Sequence, residues 1–435
     1  MKKNPSQQQL SKLLEYYQKR RFSDAEKLAK SITKKTPKHQ FAWKVLGAVL
    51  KQTGRISESL VVSKKSVQLA PQDAAAHYNL GNTFKELNRL EESEASYIKA
   101  IALKPDHAEA HSNLGNIFRE LGRLEESMNN YIKAIELNPN MPETQQNLIE
   151  LLATYVPENK TSHPIVKVDQ EIKKINLKEK VSGIISDDKI IQLFCKSSGI
   201  IKKHHLELGT NLSQVYRRNT IDLNCKRHST IFNNFNIIPK FCFGCYKVQV
   251  EPRSILELIK LFVVFDQIKL VENNTRKCFI EVRPEISGHY KGLIYCSSME
   301  EAYQIADYLE MVLKEHIGPG LHAAVKRGCS EYPISFPDYK EINKSGAQLM
   351  NYNEDWKLIE EDYDSKSSIK SSKNITPTLP GLSLSDVLII RNWIDYAKGI
   401  GDVSVRLLKQ STVGNQAIYR ASKARLERHN WRDSL

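Results

Sequence analysis

Residues 78–105 read YNLGNTFKELNRLEESEASYIKAIALKP, and residues 112–139 read SNLGNIFRELGRLEESMNNYIKAIELNP. The two stretches start 34 residues apart, and the same interval separates Gly47, Gly81 and Gly115, and Pro71, Pro105 and Pro139. A fixed period of this length means stacked copies of one helical hairpin. Within the first stretch Leu80, Phe84 and Leu87, then Tyr97, Ala100, Ile101 and Leu103, recur at helical spacing, which predicts two amphipathic helices per copy. Small residues fall where the two helices cross: Gly81 with Ser93 and Ala100, and Gly115 with Ser127 and Ala134. Small side chains let helix axes approach closely. The closing proline stops the second helix and starts the next unit.

Two strong copies span 74–107 and 108–141. A weaker copy spans 40–73, with Trp43, Leu46, Gly47, Leu50 and Pro71. A fainter one, about 6–39, has Tyr16, Ala25, Ala29 and Pro37, with Leu13 in place of the glycine. A half copy at 142–156, with Gln145, Leu148 and Leu152, reads as a cap. The pattern resembles the tetratricopeptide repeat family. That resemblance implies an all-α solenoid over 6–156, whose first helices line a concave face that receives an extended peptide. Asn79, Asn113 and Asn147 share one repeat position on that face, Asn82 and Asn116 another, and Lys85 and Arg119 follow. An asparagine offers both a donor and an acceptor, so a row of them suits a peptide backbone of any sequence. The flanking cations suit carboxylates, and the set resembles the asparagine ladder and carboxylate clamp of some family members. The alternative is that these asparagines brace turns. His77 and His111 stand where the family often has tryptophan, and read as packing residues.

The chain has 435 residues and a formal net charge of +14. Its length predicts two or three domains. The charge admits anionic partners, including nucleic acid, but also fits an ordinary lysine-rich surface. No apolar run approaches the roughly 18 residues of a membrane span. The start, MKKNPSQQQL, lacks the apolar core of a secretory signal, so a cytoplasmic location is expected. Seven cysteines in that setting read as free or metal-bound thiols.

Residues 157–179 are polar and read as a linker or loosely packed helix. A second, α/β domain is expected over 180–340. Residues 187–218 look helical, with Ile190, Ile191, Leu193 and Phe194 as the apolar side. Then CYKVQVE (245–251) alternates as a strand, and a helix runs from Ser254 to Gln267. KCFIEVRP (277–284) and LIYC (293–296) read as strands, 299–316 as a helix capped by Ser298, and LHAAVKRGC (321–329) as a last strand. That order, β-α-β-β-α-β, predicts a ferredoxin-like core over 241–329. The fold class is therefore α+β. One sheet face would carry Lys247, Gln249, Glu281 and Arg283, too polar for core, as a ligand surface or a face covered by preceding helices. Arg276-Lys277, His289-Tyr290-Lys291 and Lys326-Arg327 lie near it, as an anion pocket or as solvated strand ends.

Cys225 and His228, then Cys242 and Cys245, form two pairs separated by thirteen residues. Such knuckles can close a tetrahedral zinc site. Buried structural thiols, or a redox or catalytic thiol, fit the same residues. No phosphate-cradling glycine loop and no H-E-x-x-H is present. Residues 341–382 read as a flexible linker, and 383–435 as a basic helical tail. In that tail Arg420, Lys423, Arg425 and Arg428 could meet nucleic-acid phosphates, or the helix could fold back through Trp393 and Tyr396. The preferred reading is a cytoplasmic scaffold that binds a protein or peptide through the repeats. One alternative is a metal- or thiol-dependent enzyme in 180–340 with a repeat-selected protein substrate. Another is nucleic-acid binding through the tail.

Overall fold

The structure, a computed structural model, describes residues 4–158, 161–175, 183–217, 223–283, 286–366, 377–408 and 414–433, the last five without their side chains. The chain divides into two compact units, Met1–Leu151 and Leu152–Leu435. In the first, α1 (Gln7–Gln18) packs on α2 (Phe22–Lys35), and α3 (Gln40–Gln52) on α4 (Ile56–Leu69). Next, α5 (Ala74–Glu86) packs on α6 (Leu90–Leu103), and α7 (Ala108–Glu120) on α8 (Leu124–Leu137). Helix α9 (Pro142–Leu152) follows.

The repeat is visible in the hydrogen bonds. Ser59, Ser93 and Ser127 each donate from Oγ to the carbonyl twelve residues earlier, of Gly47, Gly81 and Gly115, at 2.8–2.9 Å. At Gly81 and Gly115 the glycine is needed for this approach. A Cβ on Gly81 or Gly115 would stand 2.7 Å from the ring of Tyr97 or Tyr131. Trp43, His77, His111 and Gln145 each reach the carbonyl six residues back, at Pro37, Pro71, Pro105 and Pro139, at 2.7–3.1 Å. A carbonyl only accepts, so both histidines carry the hydrogen on Nε2. Three chemically different side chains thus make one bond, and it fixes the entry of each first helix. The fainter first copy keeps the frame because Leu13, at the glycine position, is fully buried.

In the second unit, α10 (Pro164–Lys173) and α11 (Asp187–Lys203) precede β1 (Gln214–Arg217). Then come α12 (Cys225–Phe235), α13 (Lys240–Gly244), β2 (Tyr246–Val250), α14 (Ile255–Gln267), β3 (Arg276–Ile280) and β4 (Tyr290–Cys296). Helix α15 (Met299–His316), β5 (Ala323–Arg327), α16 (Trp356–Lys366), α17 (Leu384–Ile400) and α18 (Gln416–Asp433) complete it. The sheet runs β1-β3-β4-β2-β5 with every neighbouring pair antiparallel. Val248, Ile294 and Cys278 lie on the face that α14, α15 and α17 cover. Gly292 on that face is required, because a Cβ would meet Leu261 at 2.3 Å.

Several sequence expectations need correction. Residues 187–218 are not one helix: α11 ends at Lys203, His205 takes a positive φ of 51°, and Gln214–Arg217 is an edge strand. The stretch expected as a linker at 157–179 contains α10, whose Ile165, Val166, Val168 and Ile172 are buried. The stretch expected as a flexible linker at 341–382 contains α16. Its Trp356 packs against a small aromatic core of Ile238, Cys242, Tyr332 and Tyr339. The segment read as a basic tail opens with α17, a core helix that folds back through Trp393 and Tyr396, as the alternative reading of that segment expects. Trp393 donates to Ser213 O at 2.7 Å, Tyr396 to Glu281 O at 2.7 Å, and Asn392 to Thr210 O and Leu212 O. A capping box of Ser383 and Asp386 starts it, and Gly401 in the left-handed region ends it.

Candidate functional site

On the face of the first helices, the asparagines meet each other. Asn113 Nδ2 donates to Asn82 Oδ1 at 3.0 Å, and Asn147 Nδ2 donates to Asn116 Oδ1 at 3.1 Å. The same two acceptors take the hydroxyls of Tyr97 and Tyr131, each at 2.7 Å. Each pair therefore couples adjacent repeats and is oriented from behind by a buried tyrosine. In the second pair, the Asn116 amide hydrogens and the Asn147 carbonyl have no protein partner among the described residues. They offer a donor and an acceptor side by side. Asn79 keeps its side chain half-buried and unbonded among the described residues. Lys85 is half-buried beside this row. Arg119 lies 3.6 Å from Glu150. Lys51, one period before Lys85, continues the cation column, and burial pushes its ammonium down, partly offset by Glu86.

The second unit holds a cavity of about 1310 Å³ over the sheet face opposite the helices. Its floor is built by register. Lys247 pairs with Tyr295 and Lys326, Gln249 with Leu293, and Lys277 with Leu293 and Tyr216, so all these side chains share one face. Cys225, Phe232 and Asn233 of α12 and the Cys329–Tyr332 segment wall it. Lys247 is only 7 % exposed, and burial pushes its amine down to about 8 against the pull of Cys329 and Glu331. It donates to Gly328 O at 3.2 Å. Lys277, also pushed down by burial, stands over Phe279, Tyr295 and Tyr216 at 4.8–5.8 Å. Lys291 is paired with Glu281 at 3.4 Å, and Glu281 is paired again with Arg283 at 2.9 Å. Cys242 and Cys329 interact with each other. The neighbouring Cys329 and burial hold the Cys242 thiol up, while Cys242 holds Cys329 down.

Residues 81–120 match the family model for a TPR repeat, and residues 108–141 match that for the tetratricopeptide repeat. Residues 81–141 are tetratricopeptide repeats. No curated protein matches the sequence. Among solved structures, a MamA fragment from Desulfovibrio magneticus RS-1 is 18% identical over 32% of this chain and 80% of its own, with a TM-score of 0.31. A thermophilic TPR protein of Thermus thermophilus is 23% identical over 32% of this chain and 77% of its own, with a TM-score of 0.29. The first TPR domain of Spaghetti (RPAP3), solved with the HSP90 peptide SRMEEVD, is 23% identical over 26% of this chain and 89% of its own, with a TM-score of 0.25.

Outside the tetratricopeptide repeats, the zinc expectation is corrected. Among the described residues no group of three or more His, Cys, Asp or Glu side chains is placed to hold a metal. The four expected ligands diverge. His228 stacks on Phe241 at 5.2 Å, and Cys242 turns to Tyr332 at 3.3 Å within the aromatic core. Cys245 packs against Gly328, and Cys225 lies on the cavity wall. The donor set does not fit zinc, and no role is built on it. Chelation of the purified protein with EDTA is therefore expected to leave its thermal unfolding curve unchanged. A stoichiometric zinc content and a collapse on chelation would refute this.

The basic tail is also partly spent. Arg425 is buried and donates to the carbonyls of Arg283, Ile286 and Gly288, while Arg420, Lys423 and Arg428 remain exposed. Sequence reasoning missed the Asn–Asn pairing and the roof over the sheet. The pairing had a signal, since 82 to 113 and 116 to 147 are both steps of 31 residues. No helix among the described residues is long and apolar enough to cross a membrane.

Proposed function

We propose that the tetratricopeptide repeats are a scaffold that holds an extended, carboxylate-bearing peptide or protein segment along the face of the first helices. The observation that supports it is the oriented Asn116–Asn147 pair, whose open donor and acceptor stand on the same face as the cation Lys85. A row fixed in advance by Tyr131 loses little side-chain entropy on binding. Bracing and binding are therefore compatible roles for these asparagines. That none of the seven cysteines is in a disulfide supports a reducing, cytoplasmic setting. For residues 241–329 we read a ferredoxin-like core. The order β5-β2-β4-β3, with helices after β2 and β4, supports it, and β1 adds one edge strand. The fold of this core by itself assigns no activity.

Lys85 gives the cleanest test, because it makes no ion pair among the described residues. Lys85→Glu is expected to weaken capture of an acidic segment at least tenfold, roughly the 1.4 kcal/mol that a desolvated ion pair reaches, with the circular dichroism unchanged. Equal capture by both proteins would remove the groove reading.

A further inference from the structure

The polar face of the sheet carries a site of its own. Around it the other cations are paired: buried Lys291 with Glu281, and the more exposed Arg283 with Glu281 and Glu331 and Lys326 with Glu251 at 3.6 Å. Cavity-lining Arg327 also lacks a carboxylate, but its guanidinium is taken by Phe243 O, the Tyr246 hydroxyl and Gln348 Oε1, which leaves Lys247 and Lys277. Neither Lys247 nor Lys277 has a carboxylate within ion-pair distance among the described residues. Lys247 has one carbonyl for its ammonium, and Lys277 has three aromatic rings. An uncompensated buried ammonium opposes folding, so Lys247, with half-buried Lys277 on the same cavity floor, leaves the site short of negative charge. The volume exceeds that of a drug-sized ligand pocket, and Tyr216, Phe279 and Tyr295 give it flat apolar walls.

We propose that this cavity is a binding site for a small organic anion, a carboxylate or a phosphate on an aromatic or similarly flat body, with Lys247 and Lys277 supplying the opposing charge. The anion takes the place of the missing carboxylate partner between the two ammoniums. The flat body lies along Tyr216, Phe279 and Tyr295. Gln249, on the same face, keeps one N–H on Glu251 and offers the rest of its amide to the ligand's polar atoms. This site is independent of the repeats, and disabling Lys85 leaves it intact.

The test uses pyridoxal 5′-phosphate, an aromatic aldehyde bearing a phosphate, on the full chain. An unprotonated lysine amine adds to the aldehyde carbon and water leaves, forming an imine. Added borohydride delivers hydride to the imine carbon and fixes the label as a secondary amine. Peptide mass spectrometry then locates it. The expected result is labelling at Lys247 or Lys277 several-fold above any exposed lysine, suppressed by excess phenyl phosphate or phenylacetate but not by the uncharged phenethyl alcohol. Suppression by one anion alone decides between phosphate and carboxylate. Label spread over exposed lysines with Lys247 and Lys277 unmodified would overturn the proposal. So would labelling at the pair that neither anion reduces. Lys247→Met and Lys277→Met are each expected to raise the melting temperature, because an unpaired charge is removed from the cavity floor, while abolishing anion protection of the remaining lysine. If both variants kept full protection, the two lysines would not be the anion's partners.

Discussion

Arg217→Met is expected to unfold the second unit while leaving the repeats folded. Arg217 ends the edge strand β1 and is 3% exposed. Its guanidinium forks onto both Asp386 oxygens at 3.0 and 2.9 Å, meets Asp266 at 3.0 Å and lies 4.3 Å over the ring of Phe262. Asp386 is also the capping-box residue of α17, so one cation joins the sheet edge, the end of α14 and the start of α17. Methionine fills much of the volume but leaves two buried carboxylates without their counter-charge. Breaking such a pair from one side costs about 3–5 kcal/mol, a large part of a domain's margin. Hydrogen exchange read by mass spectrometry would show protection lost in β1, α14 and α17 and retained in α5–α8. Arg217→Lys keeps the charge without the fork and should fall between. Unchanged protection in Arg217→Met would mean the network contributes little.

The second large effect is expected at a repeat glycine. A Cβ at Gly115 would stand 2.7 Å from two ring atoms of Tyr131 and 3.2 Å from the Ser127 carbonyl. Tyr131 has no room to move, being fully buried with its hydroxyl on Asn116. Gly115→Val must therefore part α7 from α8, at about 2–3 kcal/mol for overpacking a tight contact. It should also release the Asn116–Asn147 pair. Gly47 occupies the same repeat position, but its nearest obstacle is the Ser63 hydroxyl at 2.8 Å, at the end of a side chain that can rotate. Gly47→Ala gains helix propensity of about 1 kcal/mol against that small clash. It is expected to be near neutral in thermal unfolding. Equal losses at the two glycines would contradict the crossing geometry.

Legibility in the sequence followed the range of the interactions. The solenoid could be read from Gly47, Gly81, Gly115 and the prolines, because each repeat contact recurs within a few tens of residues. The strand order from 245 to 329 was also readable, since alternation and caps are local signals. What escaped depends on distant partners. Arg217 looked like the end of a helix, while its partner Asp386 lies 169 residues away. Lys247 and Lys277 read as a polar face, and only the roof of α12 and the Cys329–Tyr332 segment makes it a cavity. Helix α12 is short, stands between two left-handed asparagines, Asn224 and Asn236, and buries only His228 and Ile231. The Cys/His spacing misled for the complementary reason. Spacing is compatible with zinc, but α13 turns Cys242 into an aromatic core and His228 against Phe241.

The central claim is that the first-helix face of the repeats holds an acidic extended segment. Its most direct test is parallel affinity capture by the wild-type full chain and by the Asn79→Ala, Lys85→Glu double variant, with the captured proteins quantified. Both positions lie on the face yet make no side-chain bond to the fold among the described residues, so the variant should remain folded. The account predicts partners retained by the wild type and lost by the variant, with acidic segments shielding α5 and α7 from hydrogen exchange in the retained complex. The same partners in the same amounts on both proteins would contradict it.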